Sequence, residues 1–171
     1  GSKRMQQIAI DLVIEEIPLE GTELITPVDR IAIEGLQTCD YLVYPVENAL
    51  ADKLCALAEK HGGRVSSRVK DLVDIAIYAT TCSINGDKLQ KCVHREAAVR
   101  RVALPKSFAI PEGWDESHEG RFEKMCLQTG LADSFWSIEA SAKLARRLFD
   151  PALAGLANDM TWSPQKTAWE E

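Results

Sequence analysis

From Gln7 to Ile17 the chain alternates, with Ile8, Ile10, Leu12 and Ile14 set between Ala9, Asp11, Val13 and Glu15. A period of two predicts a strand whose large aliphatics share one face, with Asp11 on the other. Pro18-Leu19-Glu20-Gly21 supplies a turn. Leu24 to Gly35, interrupted at Pro27, and Tyr41 to Tyr44 are further short strands. The opening region is therefore expected to be a small, mostly antiparallel sheet.

From Pro45 the period becomes helical. One helix is expected over about Val46 to His61, stopped by Gly62-Gly63. A second runs over about Val69 to Cys82 and stops near Asn85-Gly86, and a third over about Asp87 to Ala103. After a loop holding Pro105, Pro111 and Gly113, helices are expected over Glu116 to Thr129 and Phe135 to Phe149, with a short one after Pro151. The tail TWSPQKTAWEE shows no period and is expected to fray. The fold class is α+β, a small sheet followed by a mainly helical bundle. Its segments divide as residues 1–45, 46–104, 115–160 and a tail at 161–171.

One residue disturbs the first helix. Val46, Leu50 and Leu57 form its apolar stripe, and Lys53 projects between them. A lysine there must snorkel to an edge, find an anion or reach into a site. The second helix offers the anions. Val69, Leu72, Val73, Ala76, Ile77 and Ala79 cover most of its circumference, leaving one face to Asp71, Asp74 and Tyr78. Carboxylates on an otherwise buried helix need a cation or a metal. Lys53, Arg64, Arg68 and Lys70 are close in sequence. Two readings stay open at this point: a brace between helices, or a functional site.

Composition narrows the choice. The chain has 171 residues, nearly half of them hydrophobic, which suffices for one sizeable core. A formal net charge of -6 argues against non-specific adhesion to nucleic acid. Five cysteines (Cys39, Cys55, Cys82, Cys92, Cys126) never form C-x-x-C and read as reduced thiols of a cytoplasmic protein. Cys55, Cys82 and Cys126 fall within apolar helical sequence and are expected to be inert core thiols. His61, His94 and His118 are too far apart for zinc spacing, and His61 reads as a helix C-terminal residue. No segment approaches the ~20 apolar residues of a membrane span, and no charged-then-apolar signal peptide is expected. Gly1-Ser2 reads as a scar of tag removal, and the entry into a strand soon afterwards suits either a native start or a piece of a longer chain. Ser66 and Ser67 have no triad partners, and Arg95 to Arg101 reads as a solvated basic face. Asp11, flanked by aliphatics on a strand, has the arrangement that holds divalent metals at nucleotide-transfer sites.

Ala51-Asp52-Lys53-Leu54-Cys55-Ala56-Leu57, followed by Arg68-Val69-Lys70-Asp71-Leu72-Val73-Asp74-Ile75, resembles the paired helix motifs of the AbiEii/AbiGii nucleotidyltransferase toxins of abortive-infection systems. The resemblance spans roughly Ile8 to Ala79. It implies that Lys53 reaches the triphosphate of a bound nucleotide. Asp71 or Asp74 would orient that lysine or take the proton of the acceptor hydroxyl, Arg68 would hold a carboxylate or a phosphate, and Asp11 would lie near a metal pair. It also implies magnesium and a nucleoside triphosphate as cofactors of the intact enzyme, neither expected to bind tightly to this chain alone, and a cognate antitoxin as partner. The acceptor would be a cellular molecule, with transfer RNA as the precedent among relatives.

One departure is large. The family's glycine turn, G-[GS], followed by a strand with paired aspartates, is missing from this sequence. Because nucleotidyl transfer depends on metals held by those aspartates, the chain is expected to be the C-terminal portion of such an enzyme, or a degenerate descendant, and inactive alone. The alternative is a helical protein-binding module in which Lys53, Asp71 and Asp74 form an ionic brace. A weaker third is a nuclease using Asp11, Asp71 and Asp74 as metal ligands.

Overall fold

A computed structural model describes residues 22–28, 34–35, 39–59, 62 and 64–171, in two compact units, Gly1–Tyr44 and Pro45–Glu171. The strand expected at Gln7 to Ile17, with Asp11, lies outside the described residues, as do His61 and Gly63.

In the first unit, β1 (Glu23–Ile25) pairs antiparallel with β2 (Tyr41–Val43), with Leu24 opposite Leu42. β1 stops short of the expected Gly35 because Pro27 has no N–H to continue a ladder. Thr26 Oγ1 donates to Asp40 Oδ1 at 2.9 Å.

The second unit holds five helices among the described residues: α1 (Val46–Ala58), α2 (Val69–Thr81), α3 (Gly86–Arg100), α4 (Glu116–Cys126) and α5 (Ile138–Leu153). With the two small antiparallel sheets they make an α+β fold. α1 packs along α3, and α2 lies against α1, α4 and α5. α2 is the centre of the unit. Its Val69, Leu72, Ile75, Ala76 and Ala79 are fully buried, on the face its apolar spacing marks out. Leu50 and Leu54 of α1, Phe122 of α4, and Leu148 and Phe149 of α5 close around it.

Local chemistry sets the helix ends. α1 leaves helical dihedrals at Glu59, earlier than the expected His61, and Gly62 turns with φ +59°. Asn85 does not merely end the preceding element. Its side chain accepts from the Lys88 N–H at 2.9 Å and so caps α3. α4 begins with a capping box, Asp115 accepting from the Ser117 and His118 amides while the His118 ring faces back to Asp115. These bonds hold the Asp115 carboxyl well below the usual carboxylate range, the Ser117 hydroxyl foremost. Ser137 caps α5, which continues through Pro151 to Leu153 in place of the expected break. Pro151 sits in the last turn, so the loss is confined to the one bond its missing N–H would have made to the Arg147 carbonyl.

Two further features depart from the sequence expectation. Arg100 is no solvated basic residue. It joins Glu96, Asp52 and, at 3.7 Å, Glu59, clamping α3 to α1. Beneath it, burial pushes the Cys55 thiol up to about 11. The tail does not fray. β4 (Thr161–Ser163) pairs with β5 (Ala168–Glu170) and with β3 (Ile84–Asn85), in the order β3-β4-β5. Trp162 is fully buried, its Nε1 donates to the Ala79 carbonyl at 2.7 Å, and it meets Trp169 edge-on at 5.6 Å. Strands of three residues are too short to leave a period, so tertiary burial of two tryptophans decides their state. The chain also comes very close at Gly86, where a Cβ would lie 1.9 Å from the Ala157 carbonyl oxygen.

Trp162→Ala is expected to cost about 3–5 kcal/mol in urea unfolding. Gln165→Ala, at the exposed hairpin turn, should stay within about 0.5 kcal/mol. Equal midpoints for the two variants would contradict a packed hairpin.

Candidate functional site

The residues singled out in the sequence come together where α1 passes α2. Lys53 sits on the part of α1 that faces α2, on a helix whose Leu50, Leu54 and Leu57 are all buried. Its ammonium reaches Asp74 Oδ2 at 2.6 Å and Asp71 Oδ1 at 3.5 Å. Asp71 and Asp74 are a helical turn apart on α2, so one amine can meet both. Lys70 Nζ donates to the same Asp74 oxygen at 2.8 Å, and Arg68 donates to Asp71 Oδ2 at 3.3 Å.

Burial grades this cluster from inside to outside. The side chains of Lys53, Asp71 and Asp74 are 14%, 15% and 19% exposed, whereas Arg68 and Lys70 are 44% and 72% exposed. Desolvation disfavours the charged amine of Lys53. The Asp74 hydrogen bond, with the charges of Asp74, Asp71 and Tyr78, outweighs it and holds the pKa above the ordinary lysine value. Lys53 is therefore a fixed cation and not a neutral amine, which suits charge stabilisation and excludes a nucleophilic or proton-accepting role at neutral pH.

Arg68 enters α2 from a turn that is itself ordered. Ser66 is buried, its hydroxyl accepts from the Arg68 N–H at 3.3 Å, and its carbonyl accepts from Trp114 Nε1 at 2.7 Å. Sequence reading assigned no role to Ser66 or Trp114; their partners are two and 48 residues away. A lone tryptophan in a loop carries no signal of its distant acceptor.

The described residues do not fit a magnesium site. No three of their His, Cys, Asp and Glu side chains gather in a way that could hold a metal ion, and each oxygen pair of Asp71 and Asp74 already faces two cations. Cys55 and Cys126 are equally unsuited to chemistry: they are buried, with burial raising both thiols. Cys82, expected in the core, is half-buried at the exit of α2. His118 serves the α4 cap.

A family model described as nucleotidyl transferase AbiEii toxin, type IV toxin–antitoxin system, matches residues 1–152. The match extends well beyond the Ile8 to Ala79 stretch, taking in α3, α4 and nearly all of α5. Among curated proteins, the chain is similar to the mouse E3 ubiquitin-protein ligase NEDD4, 24% identical over 115 residues, which is 67% of this chain and 13% of that protein. So small a share of the ligase carries no argument about this site. No solved structure matches the chain.

The raised pKa of Lys53 fixes the sign of a pH effect. The stability its pairing adds is fully present below the unfolded lysine value, and is lost as pH climbs through the higher folded value. Lys53→Met should lower stability by about 1–3 kcal/mol at pH 7, between the ranges for exposed and buried pairs. The gap between wild type and variant should hold up to the ordinary value of 10.5 and shrink above it. Paired urea titrations across pH 7 to about 11.5 measure this, and a gap that widens with rising pH contradicts the assignment.

Proposed function

Because this chain belongs to the AbiEii nucleotidyl transferase toxin family of type IV toxin–antitoxin systems, we propose that its Lys53 cluster faces the triphosphate of a nucleotide being transferred to a cellular acceptor. The family makes it a nucleotidyltransferase-type toxin with an antitoxin as its counterpart. The observation that carries the finer reading is the 2.6 Å pair between Lys53 and Asp74, sheltered on the inside and opening toward Arg68 and Lys70.

Three cations against two carboxylates leave the cluster with one surplus positive charge, placed on its exposed rim. A polyphosphate chain is the ligand that such a rim attracts. In the transfer, an acceptor hydroxyl oxygen bonds to the α-phosphorus and gives up its proton to water, the bond to the bridging oxygen breaks, and pyrophosphate leaves. Lys53 keeps its proton throughout and offsets the negative charge gathering on the departing phosphates. Asp74, already shared by two ammonium groups, orients Lys53, and Asp71 orients Arg68. Magnesium in the intact enzyme would neutralise phosphate charge. The described residues of this chain provide no ligand set for it, and no step is routed through it.

This chain is then the C-terminal portion of the toxin, and transfer RNA is the proposed acceptor. Its sequence lacks the glycine turn and paired aspartates that would hold the metals, so the chain alone should not incorporate labelled nucleotide. The second reading, a non-catalytic module, also has an observation in its favour: every charge of the cluster already has a partner within it.

Lys53→Met in the full-length toxin separates them. The catalytic reading expects growth inhibition and magnesium-dependent nucleotide transfer to transfer RNA to fall at least a hundredfold, an order typical of losing one charge-stabilising group, with antitoxin binding retained. Undiminished transfer and toxicity from a folded variant would exclude it. Transfer by the present chain would show the metal ligands to lie elsewhere.

A further inference from the structure

Arg68 shares Asp71 with Lys53, so where Arg68 sits decides how strongly Asp71 draws on the central amine. What places Arg68 lies far away in sequence. The indole N–H of Trp114 holds the Ser66 carbonyl at 2.7 Å, and the Ser66 hydroxyl in turn accepts from the Arg68 backbone amide at 3.3 Å. The second bond is a serine turn, which sets the direction in which the chain enters the next element. It matters here because Arg68 is the N-cap of α2 and has no side-chain cap of its own.

Trp114 is itself fixed from behind. It stacks on His118 at 5.8 Å with the rings 11° apart, and His118 is tied to Asp115 at 2.7 Å in the α4 capping box. Gly113, at φ +88°, lets the backbone come so close to Val65 that a Cβ would lie 2.9 Å from Val65 Cγ2. The loop before α4 thus grips the loop before α2 at two adjacent points. α4 also packs on α2, so the grip is referenced to the helix that carries Asp71 and Asp74.

We propose that Trp114 is a positioning residue for the polyanion-facing rim of the Lys53 cluster, acting through Ser66 to hold Arg68 on Asp71. This inference rests on the polyphosphate reading for its ligand, though not for the latch itself. Loss of the indole N–H frees the Ser66 carbonyl, loosens the turn and lets Arg68 leave Asp71. The rim then meets a polyanion with one cation fewer in place.

Two measurements on the present chain test it, with Trp114→Phe, which keeps the ring, and Ser66→Ala, which keeps the packing if the first variant fails to fold. Trypsin cleavage after Arg64 and Arg68 reports opening of the turn, because cutting tracks the population of the locally open state. Each variant should raise it about three- to tenfold, the range one neutral hydrogen bond allows, with cleavage after Lys143 and Arg147 unchanged. Inorganic triphosphate binding by calorimetry should weaken by a similar factor in either variant. In an Arg68→Met background, neither should weaken it further, a coupling that general loss of stability does not produce. Unchanged cleavage in both variants overturns the latch, whatever the chain binds. Faster cleavage with unchanged triphosphate affinity overturns its role in the site. If wild type takes up no triphosphate, the polyphosphate reading falls instead, and the cleavage result still decides the latch.

Discussion

A single ammonium group placed between two carboxylates of a neighbouring helix sets the terms for much of this structure. Lys53 leaves α1 toward α2 and ends 2.6 Å from Asp74. Water could not replace that partnership cheaply, because the three side chains are less than one-fifth exposed. The relative position of α1 and α2 is therefore tied to the charge state of the cluster. The apolar contacts around it supply most of the burial free energy, but they tolerate sliding. An ion pair with two acceptors on successive turns does not, and so it specifies register more than it adds stability.

The clamp on the other side of α1 works differently. Arg100 collects Glu96, Asp52 and Glu59 nearer the surface, where a planar guanidinium can serve several carboxylates. Together the two clusters fix α1 from both flanks, one against α2 and one against α3. On the α3 side of α1, Asn48 is buried, with its oxygen accepting from the Cys92 thiol at 2.8 Å. A helix held in this way presents Lys53 rigidly, as charge stabilisation in a transfer reaction demands. The same rigidity would serve a binding module, which is why loss of activity, and not loss of fold, separates the two readings.

The legible parts of the site were those whose partners lie on regular helices. Lys53 interrupts an apolar stripe, and Asp71 and Asp74 share a face of α2. Helical spacing is enough to put both carboxylates within reach of one amine once the helices pack. Lys70 follows from the same arithmetic, being a turn before Asp74. Trp114 does not, since its acceptor is a backbone carbonyl that any residue would provide. Arg100 was misread for a related reason. A basic run at a helix end looks solvated until a second helix brings acids to it.

By itself the sequence determined the helical segments, the α+β class, the family motifs and the residues able to bear charge chemistry, because these depend on spacing within a few turns of chain. Helix ends moved by several residues, since capping bonds such as Asn85 to Lys88 and continuation through Pro151 are settled atom by atom. Only the tertiary structure decided that the tail folds back as a hairpin around Trp162, that Arg100 clamps two helices, and that Trp114 grips the turn before α2. In those contacts Trp162 and Ala79, Arg100 and Asp52, and Trp114 and Ser66 lie 83, 48 and 48 residues apart. Their free energy appears only after the chain has closed on itself, and no local pattern records it.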